Sequence, residues 1–277
     1  MYQRRIFDWN DAYANGVNIP GGDRWPSLWA DVSGPFREHM AIEGRAQLDV
    51  EYGPRPRNRM DIFLPKGEPA GLVVYIHGGF WRLLDKSFGS HLAAGPLAHG
   101  YAVAMPSYTL TPEVRVTEIG REIAAAIERA GSMVKGPILL TGHSAGGQLA
   151  TRMVTATSPL GRETAARVNN VVSISGLHDL RPMVRLNYNN DIRIDDAEAE
   201  VESPVLLRPM DGTRLICWVG QAERSEFVRQ SELLANIWTG LGASTAFYAE
   251  PDKHHFNIVD GLAYADHPLT LALVAEK

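Results

Sequence analysis

From residue 72 onward the chain alternates between short, continuously apolar runs and helical patterns, and this alternation limits its fold more than any other feature. The apolar runs fall at residues 72–77, 102–106, 138–141, 168–174, 214–219 and 244–248. Helical spacing of apolar residues separates them near residues 88–99, 113–130, 146–155 and 225–241. Continuous apolar strands spaced by helices imply a mostly parallel central sheet with helices on both faces, so the expected fold class is α/β. Two more strand candidates precede this region, at residues 46–52 and 60–64. They are joined by the turn-rich Gly53-Pro-Arg-Pro-Arg-Asn58.

The length of 277 residues suits one large α/β domain or two small ones. With no repeat, low-complexity tract or long linker, residues 1–277 are read as one domain. Residues 1–45 form an N-terminal arm within it. Its mixture of Trp9, Tyr13, Trp25, Trp29 and Phe36 with glycines and prolines predicts an irregular or short-helical segment packed on or near the active site, not a free tail. The longest connection without a strong pattern, residues 183–201, is expected to border a pocket.

Net charge is −5 with no long basic run, which gives nucleic-acid binding no electrostatic support. No stretch approaches the roughly 20 apolar residues that a membrane span needs, and the N-terminus lacks a signal-peptide core, so a cytoplasmic protein is expected. The expected partner is a small-molecule substrate, with a homodimer left open. The single cysteine, Cys217, excludes an internal disulfide; within the apolar run 215–219 it reads as a small core residue rather than a reactive thiol.

The chemistry centres on Thr141-Gly-His-Ser-Ala-Gly-Gly147, a G-x-S-x-G segment between a strand candidate and a helix candidate. A serine at such a junction is held proud of the sheet by a strained turn, and small neighbours at 142 and 146 leave room for it. Ser144 is therefore the candidate nucleophile. The amide of Ala145, at a helix N-terminus, is placed to stabilise an oxyanion. Upstream, Tyr75-Ile-His-Gly-Gly-Phe-Trp81 follows a buried-type strand. The amides of Gly78 and Gly79, with Phe80, are candidates for the rest of the oxyanion hole. His77 is expected to brace this loop, and His143 to be an elbow residue.

An activated serine needs a base, then a carboxylate to orient that base. Only His254 and His255 follow the last strand candidate and precede the terminal helical stretch. His255 is preferred because Phe-Asn-Ile-Val after it can start a short helix. Three carboxylates compete for the acid: Glu223 just past the strand at 214–219, Asp179 after the preceding strand, and Asp252, which is close to His255 in sequence. Glu223 is preferred, with Asp179 as its rival. Phe80, Trp81 and Tyr108 are the aromatic residues nearest the inferred mouth, and are candidate substrate contacts. No phosphate loop or metal-ligand cluster appears.

These motifs resemble the α/β-hydrolase superfamily, and within it the branch of arylformamidases (kynurenine formamidases) and related small bacterial esterases. The resemblance runs from about residue 46 to the end. It is most specific in His77-Gly-Gly-Phe-Trp81, Gly142-His-Ser-Ala-Gly-Gly-Gln-Leu149, and Phe227-Val-Arg-Gln-Ser231 with His254-His-Phe-Asn-Ile258. It implies the α/β-hydrolase fold, Ser144 as nucleophile, His255 as base, and neither metal nor organic cofactor. Glu223 falls where that branch usually has aspartate, just upstream of its matching stretch. The expected activity is a serine hydrolase cleaving an N-formyl or other small acyl group from an arylamine. A short-chain carboxylesterase is the alternative, and a non-catalytic ligand-binding protein on a hydrolase scaffold a remote one.

Overall fold

The structure, a computed structural model, describes residues 5–275, so residues 1–4 of the arm lie outside the described residues. Eight strands form one sheet: β1 (Ala46–Glu51), β2 (Arg59–Phe63), β3 (Gly71–Ile76), β4 (Tyr101–Pro106), β5 (Ile138–His143), β6 (Val168–Ile174), β7 (Arg214–Gly220) and β8 (Ser244–Glu250). Their spatial order is β1-β2-β4-β3-β5-β6-β7-β8. The β1/β2 and β2/β4 pairs are antiparallel, and every other pair is parallel. All eight strand candidates are present, with ends shifted by one or two residues.

Five helices carry most of the covering layers: α1 (Trp25–Ile42), α2 (Val116–Met133), α3 (Ala145–Arg152), α4 (Ser225–Gly240) and α5 (Pro268–Val274). Alternation along β3 sends Leu72, Val74 and Ile76 to one core, where Val116, Ile119, Ile123 and Ile127 of α2 meet them with Leu149, Phe227 and Trp238. Val73 and Tyr75 point to the opposite core, closed by Trp29 and Met40 of α1 and Leu269 and Leu273 of α5. Both faces are thus buried, which is why the central strands read as unbroken apolar runs. Cys217 lies in the first core, and burial pushes its thiol up to about 12.

Three helical expectations need correction. The pattern at 88–99 is a 3₁₀ stretch, Lys86–Ala93, followed by the short helix Ala94–Ala98. Gly89, Gly95 and Pro96 interrupt what would otherwise be one helix. The pattern at 146–155 ends earlier, at Arg152. The arm, read as irregular or short-helical, contains the 18-residue α1, with Pro35 inside it. Pro35 and Gly34 lie on its exposed side, where the carbonyl left without an N–H partner can face water. Its opposite side carries Trp29, Ser33 and Met40 into the protein.

Buried imidazoles, His77 and His178 among them, make the fold sensitive to acid. Burial holds His77 at about 4 and His178 at about 3, against about 6.5 when the chain is unfolded. The unfolded state therefore takes up protons first as pH falls below about 6.5, and stability drops until the folded-state values are reached. Each group removes up to about 1.4 kcal/mol per pH unit in that window. Urea midpoints should fall between pH 7 and pH 5. A midpoint that is flat or rises towards acid would contradict this.

Candidate active site

β5 delivers its last residue, His143, directly into a tight turn, and Ser144 adopts φ 56°, ψ −116° as the residue before α3. For a side-chain-bearing residue this is strained backbone, of a kind that clusters at functional sites. The Ser144 amide donates to the carbonyl of Ile174 at the end of β6 (2.8 Å), which pins the turn to the sheet. Close packing explains the small neighbours. A methyl group on Gly146 would lie 2.0 Å from the Ile76 carbonyl oxygen and 2.7 Å from that of His77. Gly146→Ala should therefore cost more than the ~1–3 kcal/mol of ordinary core overpacking, because backbone cannot step aside. A denaturation midpoint near that of the parent chain would refute this.

The loop after β3 wraps over the same end of the sheet. Phe80 and Trp81 both have positive φ (49° and 57°), and Gly79 has φ 102°. A methyl group on Gly78 would lie 3.2 Å from Ser144 Cβ, so the loop backbone sits against the serine. Among the described residues, no hydrogen bond takes up the backbone N–H of Gly79, Phe80 or Ala145. His77 stacks on the Tyr108 ring (centroids 4.2 Å apart, planes within 7°), and its Nδ1 lies 2.8 Å from the Gly78 carbonyl oxygen. Tyr108 Oη donates to the carbonyls of His77 and Gly78 at 3.2 and 3.3 Å. Trp81 Nε1 donates to Gln148 Oε1 on α3 (3.1 Å).

This geometry corrects the reading of Trp81 and Tyr108 as substrate contacts. Both side chains are fully buried, and their polar atoms are spent on bracing the loop. Phe80 is half-buried instead and lies 5.3 Å, centroid to centroid, from Tyr188. Tyr188 belongs to the 183–201 segment, which is tied to the same loop a second way. Arg82 bonds Asp191 (2.5 Å) and lies over the Tyr188 ring at 4.8 Å. Tyr188 was missed because nothing in the local pattern of Asn187-Tyr-Asn-Asn says which loop it faces.

The histidine and carboxylate come from the ends of β7 and β8. His255 Nδ1 lies 2.6 Å from Glu223 Oε2. Glu223 Oε1 accepts from Ser175 Oγ (2.5 Å) and from the Gly220 amide (2.8 Å), and its side chain has no solvent exposure. Three donors to one buried carboxylate hold it in a single orientation. The His255 ring packs against His143 (4.5 Å) and Phe227 (4.4 Å), which places it beside the residue preceding Ser144. Burial and the neighbouring His255 lower the basicity of His143 well below the ordinary value, so it stays neutral. Ser175 and Phe227 were not among the sequence candidates for this site.

The competing residues have other partners. His254 Nδ1 accepts from the amides of Phe256 and Asn257, capping the turn, and its ring lies against Trp25. Asp179 is paired with Arg181 through both carboxylate oxygens, at 2.9 and 2.8 Å. Asp252 occupies a left-handed turn position with φ 59°. Among the described residues, no group of three or more His, Cys, Asp or Glu is arranged to hold a metal ion, and no helix is long and apolar enough to cross a membrane.

A mostly parallel sheet with a strand-turn-helix serine at its carboxyl edge is the architecture of an α/β-hydrolase of the esterase and amidase class. The chain belongs to the BD-FAE family, whose model matches residues 60–208. It is similar to kynurenine formamidase from Danio rerio, 27% identical over 238 residues that cover 82% of this chain and 80% of that one. Kynurenine formamidase from Salmo salar is 28% identical over 240 residues, with the same coverage of 82% and 80%. Among solved structures, a protein of Silicibacter sp. TM1040 named as a candidate thioesterase superposes with a TM-score of 0.92 at 42% identity, covering 97% of this chain and 99% of that one.

Proposed function

We propose that the protein is a serine hydrolase with the triad Ser144, His255 and Glu223, acting on an N-formyl or comparably small acyl group carried by an arylamine. The hydrogen bond from His255 Nδ1 to the sealed Glu223 carboxylate carries this reading. It fixes the tautomer in which Nε2 keeps its lone pair, and it stabilises the imidazolium formed when that nitrogen takes a proton. Ser144 Oγ attacks the carbonyl carbon as His255 removes its proton. The amides of Gly79 and Ala145, with Gly78 or Phe80, hold the oxyanion. Collapse of the tetrahedral intermediate breaks the C–N bond, and His255 returns the proton to the departing amine. Water, deprotonated by His255, then releases the acyl group as its acid and regenerates Ser144.

The formamide preference draws on the kynurenine formamidase relatives, which match most of the chain. A short-chain ester passes through the same intermediate, and the name of the Silicibacter protein favours an ester or thioester acyl donor. The comparison of kcat/KM for an N-formyl arylamine with that for p-nitrophenyl acetate separates the two. The formamide is expected to be turned over at least as efficiently, and a value orders of magnitude lower would leave a carboxylesterase. A fluorophosphonate probe should label Ser144; folded protein without that adduct would mean a ligand-binding protein on a hydrolase scaffold.

A further inference from the structure

Between α1 and the loop after β3 lies a small cavity bordered by Trp29, His77, Gly78, Leu84, Leu92 and His143. Its free volume is about 20 Å³, the room that one water-sized group occupies. Two of its walls belong to the reaction centre. Gly78 packs against Ser144 Cβ, and His143 precedes Ser144 and lies against His255. The other walls are mostly aliphatic or aromatic, with the Tyr75 phenol among them. Trp29 Nε1, His77 Nε2 and His143 Nε2 are all buried and none has a hydrogen-bond partner.

We propose that this cavity is the acyl pocket, and that Trp29 of the N-terminal helix closes it so that only acyl groups of one or two carbons fit. This rests on the reading of Ser144 as nucleophile. The size argument is direct, since the pocket has room for one small group beyond the scissile carbonyl. The unpaired nitrogens add a polar argument. With His77 Nδ1 committed to the Gly78 carbonyl, Nε2 of that ring is an acceptor, and the Trp29 indole N–H is a donor. A formyl group leaves space for a water to bridge such atoms. A longer hydrocarbon chain fills the pocket and strands them unpaired, which is the strongest basis for rejecting a close analogue. His77 and Trp29 thereby acquire a shared role in specificity, distinct from bracing the loop.

The test is the ratio of kcat/KM for p-nitrophenyl butyrate to that for the acetate, with hexanoate extending the series. The parent protein should lose at least about tenfold from acetate to butyrate, in the range that one or two surplus methylenes cost in a closed pocket. Trp29→Ala should raise the butyrate-to-acetate ratio by about tenfold or more, and Trp29→Phe, which removes only the N–H and part of the ring, by less. Leu84→Ala, at a half-buried wall position, should move the ratio the same way. Gly89→Ala should lower it, because the added methyl would stand 3.1 Å from the Tyr75 ring at the pocket wall. These two variants carry the test if the Trp29 variants do not fold. A flat chain-length profile in the parent protein, or a ratio unmoved in the folded variants, overturns the pocket. Labelling of Ser144 by a fluorophosphonate is measured alongside. Its presence with a flat profile removes the pocket alone, and its absence removes the nucleophile and the pocket together.

Discussion

Ser144→Ala is expected to lower kcat/KM by about 10⁴-fold or more and to abolish fluorophosphonate labelling, while the thermal midpoint moves little. The size follows from the reaction path. Without Oγ there is no acyl-enzyme, and what remains is direct attack by water, assisted by the oxyanion donors and by binding. The small change in stability follows from what Ser144 does in the fold. Its backbone amide makes the bond to Ile174, and alanine keeps that amide. Positive φ is no harder for alanine than for serine. Residual turnover within tenfold of the parent protein would remove Ser144 from the reaction.

Glu223→Gln is expected to cost about 10²–10⁴-fold in kcat with the protein still folded, whereas Asp179→Asn should cost less than about tenfold. A glutamine amide beside His255 Nδ1 either donates to the ring, which favours the wrong tautomer, or accepts from it without the charge that steadies the imidazolium. Asp179 is engaged with Arg181, so its neutralisation frees an arginine at the surface and leaves the His255 contact intact. Activity lost only in Asp179→Asn, with both variants folded, would mean that the carboxylate had been assigned to the wrong strand end. The shorter Glu223→Asp should fall between these, since its carboxylate cannot reach Ser175, Gly220 and His255 at once.

The strands could be read because burial on both faces writes itself into a sequence as unbroken apolar runs, and the elbow because its crowding demands glycine at 142 and 146. Position along the chain favours Glu223 over Asp179, and in the structure Glu223 is the carboxylate that lies against His255 while Asp179 pairs with Arg181. The Phe-Asn-Ile-Val after His255 favours it over the adjacent His254, and in the local turn His254 accepts two amides while His255 lies against Glu223. The α1 helix was obscured by Gly34 and Pro35, although Trp25, Trp29, Phe36 and Met40 share helical spacing. Trp81 and Tyr108 were misread because an aromatic residue near a mouth and one beneath it look alike in sequence. Burial depends on Gln148 and the His77 carbonyl, which come from other parts of the chain.

The stretch that matches the family model ends at residue 208, before β7 begins, so it holds Ser144 and the glycine loop but neither Glu223 nor His255. It starts after α1, which supplies Trp25 and Trp29. The shared block is therefore half of a machine. In the proposed reading, one end of the chain contributes the wall behind the serine and the other its proton carrier, and the two meet only because β3 and β5 lie in the middle of the sheet. On that reading, a chain cut to the family's borders would keep Ser144 and lose both the proposed proton acceptor and the proposed acyl-selecting wall.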